Sequence, residues 1–416
     1  MTTDLSVSKG GFLKVYGPVS ILVKKGAIDV LGRVFVENAK VIVHKTKTYI
    51  IRALEDSELD LVMGEEASVQ PLEEDDPYLA KYALSQELAS NPGRLIVLVG
   101  GTDSGKSSFA TLLSNIVLQK GGNPAIVDGD VGQSNIGPPG FVSAGRITGP
   151  VLWVGEAKPE KLRFIGDVKP HVNIWKIINA VKELASEYFK AGSTHVIVDT
   201  DGWIRDEKGL RYKVSLISAL KPDVMVVFGA DISPYFRKFS AYGVRVVEFN
   251  IPPTRKIRSR DERRILRSMK YREFLYEAPI VKLDFENLII NGLPILEGVP
   301  VEVASVEKFV EGKISYASLL PDKLYLAGSV RRVEEEGLKK EFGVGKIAVF
   351  EPGAERNLYA AVSNGNLDYP ALIDKIDFQG RRIIIKTRYT NKISELKVST
   401  IKLRDDYTEE FLEVSS

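Results

Sequence analysis

There is no cysteine among the 416 residues of this chain, which excludes a disulfide framework, a thiolate metal site and a thiol nucleophile. Histidine is nearly as scarce. His44, His171 and His195 are the whole set, too few for a histidine-rich metal centre. Neither sign of charge prevails, with 57 Lys and Arg against 55 Asp and Glu, so any surface for a nucleic acid must be local. No apolar run approaches the ~18 residues that cross a bilayer, and the start Met1-Thr-Thr-Asp-Leu-Ser-Val lacks the basic-then-apolar layout of a secretion signal. The expectation is a soluble cytoplasmic protein with no membrane attachment. The missing cysteine, scarce glutamine and abundant charge also match thermophile composition.

What is present begins with Gly100-Gly-Thr-Asp-Ser-Gly105-Lys106-Ser107, a match to G-x-x-x-x-G-K-[ST]. The glycines let successive backbone N–H groups turn inward on a phosphate chain. Lys106 supplies a point charge there, and Ser107 offers a hydroxyl to Mg²⁺. The context fits. Arg94-Leu-Ile-Val-Leu-Val99 reads as a short buried strand, and Phe109, Leu112, Leu113, Ile116 and Val117 then fall at helical spacing. Strand, loop and helix are what the motif needs, because the helix N-terminus adds its own field at the anion.

The chain is long enough for two or three domains. Residues 1–66 carry six short strand candidates separated by turns at about 8–10 residues, the rhythm of a small sandwich or barrel. Residues 67–92 read as an acidic, turn-prone linker ending in a helix through Tyr82 to Leu88. Residues 93–277 alternate strand and helix, with strands at 94–99, 124–128, 195–199, 223–228 and 244–248 and helices around 106–119, 173–190, 207–218 and 232–241. The fold class is therefore α/β, a P-loop NTPase parallel sheet with helices on both faces, flanked by N-terminal and C-terminal β-rich domains. The latter spans 278–416. Ligands in such sheets collect beyond the carboxyl ends of the strands.

Three further segments carry chemistry. Asp128-Gly-Asp130-Val-Gly-Gln133 follows the second strand and brings two carboxylates beside the phosphate loop, one for a metal and one to accept the proton of an attacking hydroxyl. Val196-Ile-Val-Asp199-Thr200-Asp201-Gly202-Trp203 ends another strand at the same sheet edge, making Asp199 the rival for the metal-associated aspartate and Trp203 a candidate to stack on a base. The run from Thr254 to Arg267, read as a helix, places Arg260, Arg263, Arg264 and Arg267 about one turn apart, suited to clamping phosphates or gripping a nucleic-acid backbone. Phe164-Ile-Gly166-Asp167-Val168-Lys169-Pro170 reads as an ordered turn.

In this order the segments resemble the polynucleotide 5′-hydroxyl kinase family, which includes the RNA kinase of the pre-mRNA cleavage factor, the nucleolar rRNA-processing kinase and archaeal relatives. The matching pieces are Gly100–Ser107, Asp128–Gln133, Phe164-Ile-Gly166, Thr200-Asp-Gly202-Trp203 and an arginine lid containing Arg258-Ser259 and Arg263-Arg264, followed by Tyr271. Asn357-Leu-Tyr-Ala-Ala-Val and Ile383-Ile-Ile-Lys-Thr resemble the family's end domain, whereas the first 66 residues match weakly. The resemblance implies ATP-dependent phosphorylation of a 5′-hydroxyl on RNA, with DNA as a further acceptor. It implies that Lys106 and Ser107 hold the nucleotide phosphates, within a loop of Gly100, Gly101, Thr102, Asp103, Ser104, Gly105 and Ser108. Asp130 would be the general base, and Ser107, Asp128 and Asp130 the Mg²⁺ set. Gln133, Gly166, Thr200 and Trp203 would meet the substrate, and Arg258, Arg263 and Arg264 would supply lid charge. Protein partners would use the terminal β domains.

One position departs from the pattern: Asp201 stands where a small or neutral residue is expected, and its charge would disfavour a nearby phosphate. The alternative from another class is a catalytically silent ATP-bound scaffold in an RNA-processing complex. A GTPase is the weakest reading, since the nearest string to Asn-Lys-x-Asp, Asn391-Lys392-Ile-Ser394, lacks the aspartate.

Overall fold

The computed structural model describes residues 2–45, 47–251 and 259–412. They form two compact units. One comprises the described residues of 1–130, 144–160 and 177–257, and the other those of 131–143, 161–176 and 258–416. The division is not linear in sequence, because two segments from within the span 93–277 belong with the C-terminal residues.

The first unit opens with two antiparallel sheets. Thr2–Val7, Ser57–Met63, Val19–Lys25 and Lys40–Val43 make a sheet of four, and Arg33–Val36, Ala27–Val30, Thr48–Ala53, Phe12–Tyr16 and Ser68–Pro71 a sheet of five. Alternation decides which face is inward. Val19, Ile21 and Val23 are buried while the residues between them are half-buried. The six expected strands are present, together with Thr2–Val7, Ser57–Met63 and Ser68–Pro71. The last of these lies in the stretch read as linker.

Pro77–Ala89 then forms a helix because Asp76 caps it, its carboxylate accepting from Tyr78 N, with Pro77 in the first turn where no N–H is needed. Beyond it, five parallel strands run in the order Pro124–Asp128, His195–Asp199, Arg94–Gly100, Val224–Phe228 and Arg245–Phe249. The first four, buried on both sides, read as near-continuous apolar runs, whereas Arg245–Phe249 is an edge strand with only Phe249 buried. Helices Lys106–Gln119 and Glu207–Leu220 lie where expected, and Ile174–Lys190 matches the third. The expected helix at 232–241 is instead two 3₁₀ turns, Ser233–Tyr235 and Arg237–Tyr242. Pro234 and Gly243 leave too little chain between them for an α-helix to nucleate.

The phosphate-loop helix is fastened at both faces. Leu112, Leu113, Ile116 and Val117 are buried beneath it, each contributing about 1.5–3 kcal/mol. On the other side Asn115 Nδ2 donates to Leu31 O and to Val151 O, both at 2.7 Å, and Gln119 Nε2 donates to Gly32 O at 2.7 Å. Gly32 must be glycine: its φ is +79°, and a Cβ there would sit 2.8 Å from that of Asn115. The N-terminal β region thus holds the helix that carries Lys106 and Ser107.

In the second unit, Ile280–Asp284, Arg382–Thr387, Asp368–Asp377, Leu358–Ser363, Glu395–Leu403 and Ile289–Asn291 lie side by side, with Glu409–Phe411 paired to Glu395–Leu403. A separate four-stranded sheet, Val299–Val301, Val310–Leu320, Lys323–Val333 and Lys346–Phe350, has its own core of Ile314, Leu324, Leu326 and Leu338. The basic helix Arg260–Leu275 starts at a capping box between Ser259 and Glu262, and its last turns bury Tyr271, Phe274 and Leu275 against Phe141, Tyr359 and Leu403. Among the described residues, no helix is long and apolar enough to cross a membrane.

Candidate nucleotide and phosphoryl-transfer site

The sheet register sets the geometry in the first unit. Asp128 and Asp199 are Cα partners at the carboxyl ends of neighbouring strands, and Leu98 pairs with Asp199 on the other side. The strand Arg94–Gly100 therefore delivers its loop beside Asp199, with Asp128 one strand further along the sheet. Gly105, at φ +97°, turns the chain into the helix, a conformation that favours glycine.

Within the loop, Lys106 Nζ donates to Gly100 O at 2.9 Å and Gly101 O at 2.8 Å and is almost wholly buried. Ser107 Oγ donates to Asp199 Oδ2 at 2.6 Å, a short, charge-assisted bond. Burial raises the pKa of Asp199, with the nearby Asp130 charge adding to the rise and Lys106 and the Ser107 hydroxyl opposing it. Ser104 Oγ is buried with no hydrogen-bond partner among the described residues, a donor without an acceptor inside the loop. Asp103, half-buried, adopts φ +56°, and Ser108 is exposed on the third helical position. Lys106, Ser107 and the orphaned hydroxyl fit a nucleotide's phosphates. Among the described residues no three His, Asp or Glu side chains form a metal cage, which is the usual situation for Mg²⁺, held by one or two carboxylates together with substrate phosphates.

The two acidic loops differ in what they hold. Asp128 is buried and its Oδ1 accepts from Asp130 N at 3.0 Å, while Gly129 N donates to Asp199 O. Asp128 therefore shapes the turn that presents Asp130, which is half-buried. Asp199, the rival at the sequence level, is the carboxylate against Ser107. Thr200 Oγ1 donates to Leu98 O at 2.8 Å, and Gly202 packs so closely on the phosphate loop that a Cβ would meet Thr102 N at 2.6 Å.

Asp201 corrects the expectation of a repelled phosphate. Its Oδ2 accepts from Lys213 Nζ at 2.6 Å with both side chains buried, and its Oδ1 accepts from Trp203 N at 2.9 Å. The charge is neutralised inside the protein. Burial lowers the pKa of Lys213 while Asp201 opposes the shift. Trp203 lies stacked on Tyr212, centroids 5.9 Å apart and planes 27° from parallel, and its Nε1 donates to Asp206 Oδ2 at 2.7 Å. Lys213, Tyr212 and Asp206 carried no signal in the sequence, because single polar residues on a helix read as a solvated face.

In the second unit Gln133 Nε2 donates to Gly132 O and to Arg263 O, at 2.8 and 3.2 Å, so the end of the acidic loop meets the basic helix. Arg264 Nη2 donates to Glu409 O at 3.4 Å, and Arg267 makes a bidentate ion pair with the buried Glu409 carboxylate. Gly166 has φ +86° in its turn. Arg258 lies outside the described residues.

The family model described as the mRNA cleavage and polyadenylation factor CLP1 P-loop matches residues 100–277. A polyribonucleotide 5′-hydroxyl-kinase of Pyrococcus furiosus is 27% identical over 346 residues, covering 80% of this chain and 93% of its own. One from Methanocaldococcus jannaschii is 31% identical over 232 residues, 54% of this chain and 62% of its own. The polynucleotide 5′-hydroxyl-kinase NOL9 of Bos taurus is 32% identical over 154 residues, 36% of this chain and 22% of its own. Among solved structures, wild-type Clp1p in complex with Pcf11p (residues 454–563) superposes with a TM-score of 0.61 at 13% identity, covering 97% of this chain and 98% of that one, which is a likeness of fold. The phosphate loop and the acidic ends of neighbouring strands are in place, and the chain is similar to the CLP1 P-loop family over residues 100–277 and to archaeal polyribonucleotide 5′-hydroxyl-kinases.

Proposed function

We propose that the protein transfers the γ-phosphoryl group of ATP to the 5′-hydroxyl end of RNA. The observation that carries this reading is the Ser107–Asp199 bond of 2.6 Å beside the Lys106 loop, in the unit that also holds Asp130. Residues Gly100 to Ser108 hold the donor phosphates through backbone N–H groups and Lys106, and Ser107 with Asp199 or Asp128 holds Mg²⁺. Mg²⁺, when bound, neutralises charge on the phosphate oxygens. Asp130 accepts the proton of the 5′-hydroxyl as its oxygen attacks the γ-phosphorus in line, and the bond to the bridging β–γ oxygen breaks to release ADP. Roles for Gln133, Gly166, Thr200 and the lid arginines Arg258, Arg263 and Arg264 rest on the family resemblance, as do DNA as a second acceptor and protein partners at the terminal β regions.

The test is transfer of labelled γ-phosphate to a short 5′-hydroxyl RNA, beside the matching DNA and a 5′-phosphorylated control. Label on the hydroxyl-ended RNA alone supports the reading, and label on DNA as well extends it. No transfer with ATP binding intact would replace the kinase with a nucleotide-bound scaffold.

Trp203 offers a second check. If the indole stacks on a base, Trp203→Ala weakens oligonucleotide binding by about 1–3 kcal/mol. Trp203→Phe, which keeps an aromatic face without the Nε1 bond to Asp206, retains most of the affinity. Equal dissociation constants for wild type and Trp203→Ala would leave Trp203 with a packing role on Tyr212.

A further inference from the structure

The loop at Gly105 has a cationic neighbour outside its motif. Lys81 stands on the helix Pro77–Ala89, which the sequence marks only as a connector, yet its Nζ lies 4.0 Å from where a Cβ on Gly105 would be. The stem carries the ammonium over two aromatic faces, 5.6 Å from the Phe228 centroid and 5.7 Å from that of Phe249. Those residues are Cα partners at the ends of neighbouring parallel strands, where ligands of such sheets collect.

Among the described residues no carboxylate lies within ion-pair distance of Lys81 and no acceptor takes a hydrogen bond from its Nζ. Other lysines of the same unit are paired: Lys14 with Asp76 at 2.7 Å, and Lys213 with Asp201. Burial lowers the pKa of Lys81. Asp76 opposes the shift from beyond bonding distance, and the Lys14 charge adds to it. An ammonium taken partly out of water without an anion is costly. The aromatic faces attract the ammonium but supply no oxygen acceptor for its N–H groups.

We propose that Lys81 is a donor-nucleotide contact, a second lysine that reaches the phosphate loop from the linker helix and pairs with the phosphate chain of ATP. This rests on the loop being an ATP site. Phosphate supplies the missing anion, and the two aromatic faces fix where the ammonium stands before the nucleotide arrives. The linker helix is then part of the nucleotide site, a role that no spacing in the sequence announces.

Calorimetric titration of wild type, Lys81→Met and Lys81→Arg with ATP, ADP and inorganic triphosphate, in the absence of acceptor, tests this. Methionine keeps an apolar stem over the rings and removes the charge. Loss of one charge-assisted contact is expected to raise the dissociation constant of ATP about tenfold. Triphosphate, which has neither base nor ribose, is expected to weaken by a similar factor, with arginine restoring most of the loss and the KM of the RNA acceptor unchanged. An unchanged ATP affinity in folded Lys81→Met overturns the inference, and weakened ATP with unchanged triphosphate overturns the assignment to phosphate. A wild-type protein that binds no ATP would instead sink the kinase reading itself. Should Lys81→Met fail to fold, amine-reactive labelling of the wild type decides. ATP is expected to protect both Lys81 and Lys106, and protection of Lys106 without Lys81 overturns the proposal.

Discussion

Lys106→Ala is expected to lower kcat for phosphoryl transfer by at least ~10². The ammonium is buried and held by Gly100 O and Gly101 O, so its direction is set by the backbone of the loop it serves. A donor fixed in advance stabilises charge that develops during transfer without reorganising at that moment, and a flexible surface lysine would not. The side chain also fills space, so alanine alone confounds charge with packing. Lys106→Met separates them: similar bulk and an unchanged melting temperature, with the same loss of rate in single-turnover experiments, would place the effect on charge. Near wild-type turnover in either variant would remove Lys106 from the mechanism.

The second large effect is expected at the acidic strand ends, where two substitutions should fail differently. Asp130→Asn removes the proposed proton acceptor while preserving shape, and should cost at least ~10² in kcat, with the Mg²⁺ concentration for half-maximal rate little changed. Asp199→Asn replaces the carboxylate that Ser107 Oγ reaches at 2.6 Å. It is expected to raise that Mg²⁺ requirement about tenfold or more, with part of the rate recovered at high Mg²⁺. Recovery of Asp130→Asn by Mg²⁺, with no recovery of Asp199→Asn, would exchange the two roles.

Much of the central domain was legible because its signals are local. A phosphate loop, a buried strand before it and a helical spacing of Phe109, Leu112, Leu113, Ile116 and Val117 are all contained in one short stretch. The strand ends at Asp128 and Asp199 were equally readable, but not which carboxylate meets Ser107, since that depends on register across Leu98 and Asp199. The strands Phe141–Arg146 and Lys161–Phe164 were not anticipated, and glycine and proline around the first of them mask its period. Helix Glu335–Phe342 was hidden by Gly337, whose missing side chain makes room for the Phe309 ring, 2.5 Å from where a Cβ would stand. Tertiary packing overrode helix propensity there. Asp201, Lys213 and Lys81 were unreadable for a common reason. Their partners are brought to them by the fold, and a lone charge in a sequence does not say whether it faces water.

The buried pair Asp201–Lys213 also bears on how this protein can change over generations. Loss of either partner strands a charge away from water, at a cost of about 3–5 kcal/mol, a large share of what keeps an ordinary domain folded. A lineage leaving this arrangement must therefore cross a valley of weakened intermediates or replace both residues together. Positions 201 and 213, twelve residues apart, behave as a single heritable character.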